Sequence, residues 1–137
     1  MAAIKSRGTS VETRSFALFR CLPVPIEVQP REILGKPDFV FREHSVAVFI
    51  DGDFWHGKQW KTRGFRSLQA QFKGIANAEY WIHKIERNVR RDLSVTRRLR
   101  IQGWSVIRIW ESDIKKNPGM CLRRIVRALH RANEESC

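Results

Sequence analysis

Apolar residues occur in short runs that have the length and composition of buried strands. Residues 46–50 (VAVFI) form an unbroken β-branched and aromatic run, which is typical of a strand covered on both faces. Residues 38–42 (DFVFR) precede this run with three residues between, a length typical of hairpin loops. A further apolar run occupies residues 104–110 (WSVIRIW). The pattern predicts a hairpin and another strand, with Ile26 and Val28 forming a short edge strand.

Helical periodicity and capping residues predict helices on both sides of these strands. Thr9 and Glu12 have the spacing of a capping box, which starts a helix that ends before a pair of prolines. Asn77 begins a long helix that stops at Gly103. Asn117, followed by proline, begins a last helix. The expected core positions of the two later helices are Ile82, Ile85, Val89, Leu93 and Leu99, and then Leu122, Ile125, Val126 and Leu129.

The order of these elements defines the expected fold class. Helix, strands, long helix, strand and helix predict an α/β or α+β fold, with a central mixed β-sheet flanked by helices. The 137 residues suit a single domain, 1–137, in which residues 1–8 form a mobile basic arm. Residues 57–73 are expected to form a surface loop, and residues 111–116 a polar turn.

Polar groups concentrate where the predicted hairpin ends. If the hairpin is centred near His44, the numbers of paired residues sum to about 88, which places Asp38 opposite Ile50. A slip of one residue leaves Asp38 beside the same turn. This arrangement predicts an oxygen-rich pocket suited to Mg²⁺. Its members would be Asp38, the backbone carbonyl of Ile50, Asp51 and His56. The alternative is that these are ordinary turn and surface residues.

The charge of the chain indicates a polyanionic partner. It carries 26 Lys and Arg against 14 Asp and Glu, and the formal net charge of +12 favours nucleic acid first and an acidic membrane surface second. No apolar run has the length of a membrane span and no secretory signal is recognisable, so a cytoplasmic protein is expected. Cys21, Cys121 and Cys137 form no CxxC pair, which indicates neither a disulfide framework nor a cysteine zinc site.

The long predicted helix combines a partly polar inner face with a basic flank. The residues that share this face at helical spacing are Trp81, Ile85, Asn88 and Asp92. The basic residues beside it include Lys84, Arg87 and Arg91. A charged stretch is often only a solvated face, but few acids balance this one. The helix is therefore predicted to face DNA phosphates.

Two further features each have a structural and a functional interpretation. Glu12 shares a helix face with Phe16 and Phe19, so it either closes the capping box only or also lies beside an active site. Residues 57–73 interleave basic and aromatic side chains. Such a segment suits phosphate contacts with base stacking, but its aromatic residues would equally well anchor a long loop to the body.

With these residues and motifs placed, the chain resembles the very-short-patch-repair mismatch endonuclease family, a branch of the PD-(D/E)XK restriction-endonuclease-like superfamily. The resemblance rests on several motifs in order: GKPDFVF, VFIDGDFWHG, YWIHKIERNVRRD and GWSVIRIWESDIKKN. It implies a restriction-endonuclease-like core and a Mg²⁺-dependent nuclease. Such an enzyme nicks one strand of duplex DNA beside the thymine of a T:G mismatch, which arises when 5-methylcytosine deaminates.

The resemblance also implies roles for individual residues. Asp38 would bind the metal together with the Ile50 carbonyl, and His56 would be the general base that deprotonates water. Glu12 and Asp92 match acidic or polar positions that support the metal waters and the active-site histidine. The aromatic residues that match a wedge inserted beside the mismatch are Phe54, Trp55 and Trp81. Mispaired steps unstack at low cost, so aromatic insertion would select them.

The chain also departs from the family pattern. The superfamily's second acid and lysine would fall at Phe49 and Asp51, where neither expected residue type is present. Some members carry histidine at the Asp51 position, which leaves open whether Asp51 binds a second metal or changes the chemistry. The ligands of a structural zinc in those members would align with Asp53, Lys58, Trp60 and Ser112. No zinc is therefore expected, and Asp53 is predicted to brace this region through hydrogen bonds or ion pairs with Lys58 or an arginine.

The expected protein is a nickase of double-stranded DNA that uses Mg²⁺, with Mn²⁺ as a possible substitute. It would act as a monomer in the cytoplasm, associated with the bacterial nucleoid and without a membrane partner. The resemblance allows mismatch-repair proteins or a cytosine methyltransferase system as partners. One alternative is a sequence-specific restriction or homing endonuclease of the same fold. Another is a catalytically inactive basic DNA-binding module, because the lysine and second acid are missing.

Overall fold

A computed structural model describes residues 10–54 and 57–136 of the chain. The elements in chain order are α1 (Ser10–Phe19), β1 (Glu27–Val28), β2 (Phe39–Phe41), β3 (Val46–Asp51), α2 (Gln59–Thr62), α3 (Leu68–Gln71), α4 (Ala78–Ile101), β4 (Ser105–Trp110), α5 (Glu111–Lys116) and α6 (Pro118–Ser136). Thr9 and the predicted arm, residues 1–8, lie outside the described part. Among the helices described, none combines the length and apolar character needed to cross a membrane.

Across the described residues, four strands form one mixed sheet in the order β1-β2-β3-β4. The β1–β2 and β2–β3 pairs are antiparallel, and β3 and β4 are parallel. Phe39 pairs with Val48, so the central hairpin lies one residue from the predicted register. The difference arises because Arg42, expected to end the first strand, instead begins a 3₁₀ turn at Arg42–His44, which Ser45 completes in a left-handed conformation (φ 53°). Asp38 still lies beside the end of β3, as predicted.

Alternating side chains of β3 separate the core into two layers. Val46 and Val48 pack with the buried residues of α1, α5 and α6 on one face of the sheet. Ala47 and Phe49 pack with Leu99 of α4 on the other face. Both faces of β3 are therefore covered, which explains its unbroken apolar run. Side chains at the end of this strand can meet partners from either layer.

Helix α4 has the predicted bounds, but its inward face differs from the predicted apolar stripe. Ile85 and Leu99 are buried as predicted, whereas Leu93 is 64% exposed. The inward position in this turn belongs instead to Asp92, which approaches an arginine of β4. The prediction of a core position for Leu93 was therefore wrong. The prediction that polar residues share the inner face of this helix is confirmed.

Two segments that were predicted to be irregular contain helices. Residues 57–73 include α2 and α3, and residues 111–116 form α5. The Ser67 hydroxyl accepts a hydrogen bond from the Ala70 N–H and caps α3. Ile114 is fully buried in the core, so tertiary packing stabilises α5 despite its polar sequence. Phe72 is also buried, which shows that an aromatic residue anchors the 57–73 segment.

Candidate active site

The Asp38 side chain and backbone are fixed by hydrogen bonds at the end of the sheet. Its carboxylate Oδ2 accepts a hydrogen bond from the Ile50 N–H at 2.7 Å. Its N–H donates to the Val48 carbonyl at 2.9 Å, and its carbonyl accepts from the Gln29 N–H at 3.0 Å. The predicted proximity of Asp38 and Ile50 is therefore confirmed. One carboxylate oxygen is held against the main chain where β3 approaches its end.

The surroundings of Asp38 disfavour its negative charge. Burial is the largest cause and raises the pKa of this carboxyl group from 3.8 to about 6. The negative charges of Glu12 and Asp51 raise this pKa further, while the Ile50 N–H and the Arg108 charge lower it. The site therefore holds more negative charge than its own groups neutralise. A cation bound here would relieve that imbalance.

Glu12 approaches the site from α1 and is held by Gln29. The Gln29 side-chain amide donates to Glu12 Oε1 at 2.6 Å, while its backbone contacts Asp38. Gln29 has a φ of 47°, an uncommon conformation for a residue with a side chain. A cavity of about 470 Å³ adjoins these groups and is also lined by Thr13, Phe16, Val28 and Phe39. Glu12 therefore lies beside Asp38, and its role there stays a prediction.

Arg108 joins the other layer of the sheet to the same site. Its Nη1 lies 2.9 Å from Asp51 Oδ1 and 3.6 Å from Asp92 Oδ1. Its Nε donates to Thr96 Oγ1 at 2.8 Å, and its guanidinium lies 4.2 Å from the Phe49 ring centroid. Sequence analysis missed both Arg108 and Gln29. An arginine that interrupts the apolar run WSVIRIW was an available signal for Arg108, whereas Gln29 gave none.

An aromatic cluster lies beyond β3, beside the start of α4. The Phe54 ring contacts Phe72 and Trp81 at centroid distances of 6.0 and 5.9 Å, and Tyr80 contacts Trp81 at 5.1 Å. Tyr80 is 57% exposed. The cluster thus brings together two of the three predicted wedge residues, Phe54 and Trp81. The third, Trp55, lies outside the described residues, as does His56.

The predicted phosphate-facing residues follow this cluster along α4. Lys84 lies over the Tyr80 ring, with Nζ 5.8 Å from the centroid. Arg87 and Arg91 are exposed, and Asn88 is half-buried between them and the inner face. A basic stripe therefore starts at the aromatic cluster and continues along the helix. Their contact with DNA stays a prediction.

The chain is similar over most of its length to known DNA endonucleases. The type II nicking enzyme V.NmeDIP of Neisseria meningitidis serogroup C is 43% identical over 129 residues, which cover 94% of this chain and 82% of that protein. The type II nicking enzyme V.HpaIIP of Haemophilus parainfluenzae is 35% identical over 129 residues, covering 94% and 86%. DNA mismatch endonuclease Vsr of Escherichia coli (strain K12) is 34% identical over 116 residues, covering 84% and 69%. A family model described as DNA mismatch endonuclease Vsr matches residues 1–62. The chain belongs to the Vsr family.

Membership of the Vsr family establishes the class of activity. The chain is a DNA endonuclease, and DNA is its substrate. Its mixed sheet with helices on both faces is the restriction-endonuclease-like core that was predicted. The alternative of an inactive DNA-binding module is therefore not retained.

In this Vsr-family chain, hydrogen bonds brace the segment that follows β3 against α5. Asp53 Oδ1 accepts from the Ser112 N–H at 3.2 Å, and its carbonyl accepts from the Lys58 N–H at 2.9 Å. Lys58 Nζ lies 3.4 Å from Ser112 Oγ and 3.8 Å from Asp113 Oδ1. The predicted bracing by Asp53 is confirmed, although Lys58 meets the Asp53 backbone rather than its carboxylate. These contacts hold Asp53 and Lys58 against α5.

A hard divalent cation fits the donor set around Asp38. Among the described residues, no group of three or more His, Cys, Asp or Glu side chains is arranged to hold a metal ion. Mg²⁺ commonly uses one or two carboxylates and completes its octahedron with water and substrate phosphate. One buried carboxylate in a region of excess negative charge meets that requirement.

Proposed function

We propose that this enzyme nicks one strand of duplex DNA beside the thymine of a T:G mismatch, with Mg²⁺ as its cofactor. The observation that carries the proposal is the Asp38 carboxylate, which is largely buried and held 2.7 Å from the Ile50 nitrogen. The name of the Escherichia coli relative, a DNA mismatch endonuclease, supports a mismatched substrate. Because a nick needs a single active site, the enzyme is proposed to act as a monomer.

The roles proposed for Asp38, Ile50 and Glu12 are supported by their positions, and the role proposed for His56 rests on the resemblance of its motif alone. Asp38 and the Ile50 carbonyl would hold Mg²⁺, which when bound neutralises the scissile phosphate and activates water. The hydrogen bond from the Ile50 N–H would hold the Asp38 carboxylate in a fixed orientation for metal binding. Glu12, held by Gln29 at 2.6 Å, would accept a hydrogen bond from a water and orient it. His56 would accept the proton that the attacking water loses.

Recognition of the mismatch is assigned to Phe54, Tyr80 and Trp81 of the aromatic cluster, with the buried Phe72 ring supporting Phe54. These rings contact one another at the start of α4, where Tyr80 is exposed. Aromatic side chains inserted beside a mispair would pay a small unstacking cost, since the step is already weakened. Lys84, Arg87 and Arg91 would hold the backbone of the same duplex.

A second candidate function is nicking that depends on flanking sequence without a mismatch. The relatives from Neisseria meningitidis and Haemophilus parainfluenzae are named type II nicking enzymes, which favours this alternative. In the 57–73 segment, Lys61 lies over Trp60 and Arg63 over Phe65, at 5.4 and 5.3 Å from the ring centroids. Such paired basic and aromatic groups would also suit contacts with matched DNA. A mismatch target would instead link the enzyme to a cytosine methyltransferase system and to mismatch-repair proteins.

The test is strand-resolved cleavage of matched and T:G-mismatched duplexes that share the same flanking sequence. We expect nicking of the thymine strand with Mg²⁺ and its complete loss with EDTA. Matched duplex should be cut about 10- to 100-fold more slowly, because its bases resist displacement. The flanking sequences should be ones that cytosine methyltransferases recognise, because the proposed mismatch arises from a methylated cytosine. Equal cutting of both duplexes would favour the second candidate, and cutting in EDTA would exclude the metal site.

Trp81→Ala should reduce discrimination between mismatched and matched DNA. Loss of one stacking platform is expected to lower the ratio of the two affinities by roughly 5- to 100-fold. Fluorescence anisotropy with both duplexes, in EDTA to prevent cleavage, would measure the ratio. Trp81→Phe retains a ring and should lose less. Equal weakening on both duplexes by the alanine variant would contradict a wedge role for this residue.

A further inference from the structure

Arg108 is a largely buried arginine, and a charge in such a position requires several polar partners. It lies in β4 between the apolar residues Ile107 and Ile109, and its side chain is 21% exposed. Its guanidinium reaches Asp51 of β3, Asp92 and Thr96 of α4, and the Phe49 ring. The carbonyl of Asp92 adds a contact at 3.4 Å. A cationic side chain so placed ties three elements together at the active-site end of the sheet.

We propose that Arg108 is a positioning residue that holds the Asp51 and Asp92 carboxylates on the α4 side of the sheet and so prevents Asp51 from serving as a metal ligand beside Asp38. The inference rests on the proposed metal-dependent function. It assigns a role to Asp51 that differs from the metal ligation predicted from sequence. Asp38 then remains the carboxylate that is directed to the metal.

The alternation of side chains in β3 supports this separation. Ile50 packs against the layer of α1 and α6, while Ala47 and Phe49 face α4. Asp51 follows the same alternation as Phe49 and therefore faces α4, where Arg108 meets it at 2.9 Å. The Asp38 carboxylate instead bonds to the backbone N–H of Ile50. The two acids thus reach the end of β3 with different partners.

The low exposure of both side chains also favours a persistent ion pair between Arg108 and Asp51. The Asp51 side chain is 9% exposed and that of Arg108 is 21% exposed, so water screens their interaction weakly. Removing one partner from such a pair leaves a buried charge unbalanced. A metal that recruited Asp51 would have to break this pair. Without Arg108, the negative charge of Asp51 would no longer be offset by this guanidinium and would act beside Asp38.

Mn²⁺ binding to the DNA-free protein, measured by isothermal titration calorimetry, tests the inference in four variants. Arg108→Met removes the charge but keeps an apolar stem against Phe49, and should tighten Mn²⁺ binding by about 3- to 10-fold. Arg108→Lys keeps the charge and should leave the affinity near that of the native protein. Asp51→Asn should weaken binding modestly. The double variant Asp51→Asn with Arg108→Met should return to within about threefold of the native affinity, since both charges are gone.

Measurements of nicking rate and of thermal unfolding distinguish a positioning role for Arg108 from a general contribution to folding. Arg108→Met should nick at least about 10-fold more slowly although it binds Mn²⁺ more tightly, because Asp51 and Asp92 lose their alignment. A general loss of fold would lower both quantities together. In metal-free thermal unfolding, the double variant should be less destabilised than the sum of the two single variants.

Each contrary result has a definite meaning. A double variant that binds Mn²⁺ roughly 30-fold or more weakly than the native protein would identify Asp51 as a ligand and overturn the inference. Unchanged Mn²⁺ affinity and nicking in Arg108→Met would also overturn it. If the native protein binds no Mn²⁺ and nicks without metal, the proposed function fails, and the inference fails with it. If the double variant is destabilised by the sum of the two single variants, Arg108 and Asp51 do not stabilise each other, and the proposed positioning role is disproved separately.

Discussion

Asp38→Ala is expected to reduce nicking by at least about 10³-fold, because the scissile phosphate loses its metal-assisted neutralisation and the water its activation. DNA binding should be preserved or become tighter, since a carboxylate that repels phosphate is removed. Single-turnover cleavage of the mismatched duplex would measure the first effect. Anisotropy in EDTA would measure the second. The opposite directions of the two effects distinguish loss of chemistry from loss of fold.

A matched control for this variant is Glu43→Ala. Glu43 is an exposed acid in the Arg42–His44 turn, at the opposite end of the same hairpin from Asp38. Its removal changes the net charge by the same amount as Asp38→Ala but should leave nicking near the native rate. Substantial nicking by Asp38→Ala would refute the assignment of the metal site. An equal loss of nicking in both variants would attribute the effect to the hairpin as a whole.

The hairpin and the location of Asp38 were predictable because both depend on local sequence. The short spacing between β2 and β3 limited the register to a slip of one residue, and the observed slip is of that size. Any register within this range places Asp38 at the end of β3. The resemblance implies Asp38 as a metal ligand, and the hairpin register independently placed Asp38 at the end of β3. The helix bounds were likewise marked by Asn77, Gly103 and Pro118.

The contacts of Gln29 and Arg108 were not predictable because they depend on tertiary approach. Gln29 meets Glu12 from a loop 17 positions away, and Arg108 meets Asp51 across 57 positions. No periodic pattern encodes such pairs. Leu93 shows the same limit in the core, since helical spacing from Ile82 and Val89 suggested burial. The preceding residue, Asp92, takes the inward position in that turn instead. The polar sequence of residues 111–116 likewise suggested a turn, but burial of Ile114 stabilises helix α5 there.

In the proposed site, the two layers of the fold would contribute different functions. Glu12 arrives from α1 with Gln29, on the side where the cavity beside Asp38 opens. Asp92 arrives from α4 and is joined to Asp51 through Arg108. Asp38 lies where these groups converge, which is why both Glu12 and Asp51 raise its pKa. The layer of α1 would thus serve the water and metal, while the layer of α4 would serve alignment and DNA contact.

Asp38→Asn is expected to stabilise the metal-free protein at neutral pH by about 2 to 3 kcal/mol, because it removes a buried charge that the fold disfavours. The pKa of Asp38 is raised from 3.8 to about 6, mainly by burial. Between these values the folded state binds more protons than the unfolded state, so this group costs stability as the pH rises. Asparagine has no such cost and can still accept the hydrogen bond from the Ile50 N–H.

The sign of the effect fixes the pH window in which it should be seen. Thermal or urea unfolding in EDTA should give nearly equal free energies of unfolding for both proteins near pH 4. The advantage of Asp38→Asn should grow through pH 5 and 6 and level off above pH 7. Mg²⁺ should reduce this advantage, since it binds and stabilises the native protein but not the variant. An advantage that is independent of pH would mean that packing, rather than the Asp38 charge, separates the two proteins. A carboxylate retained at such a cost in stability is what a site selected for metal chemistry requires.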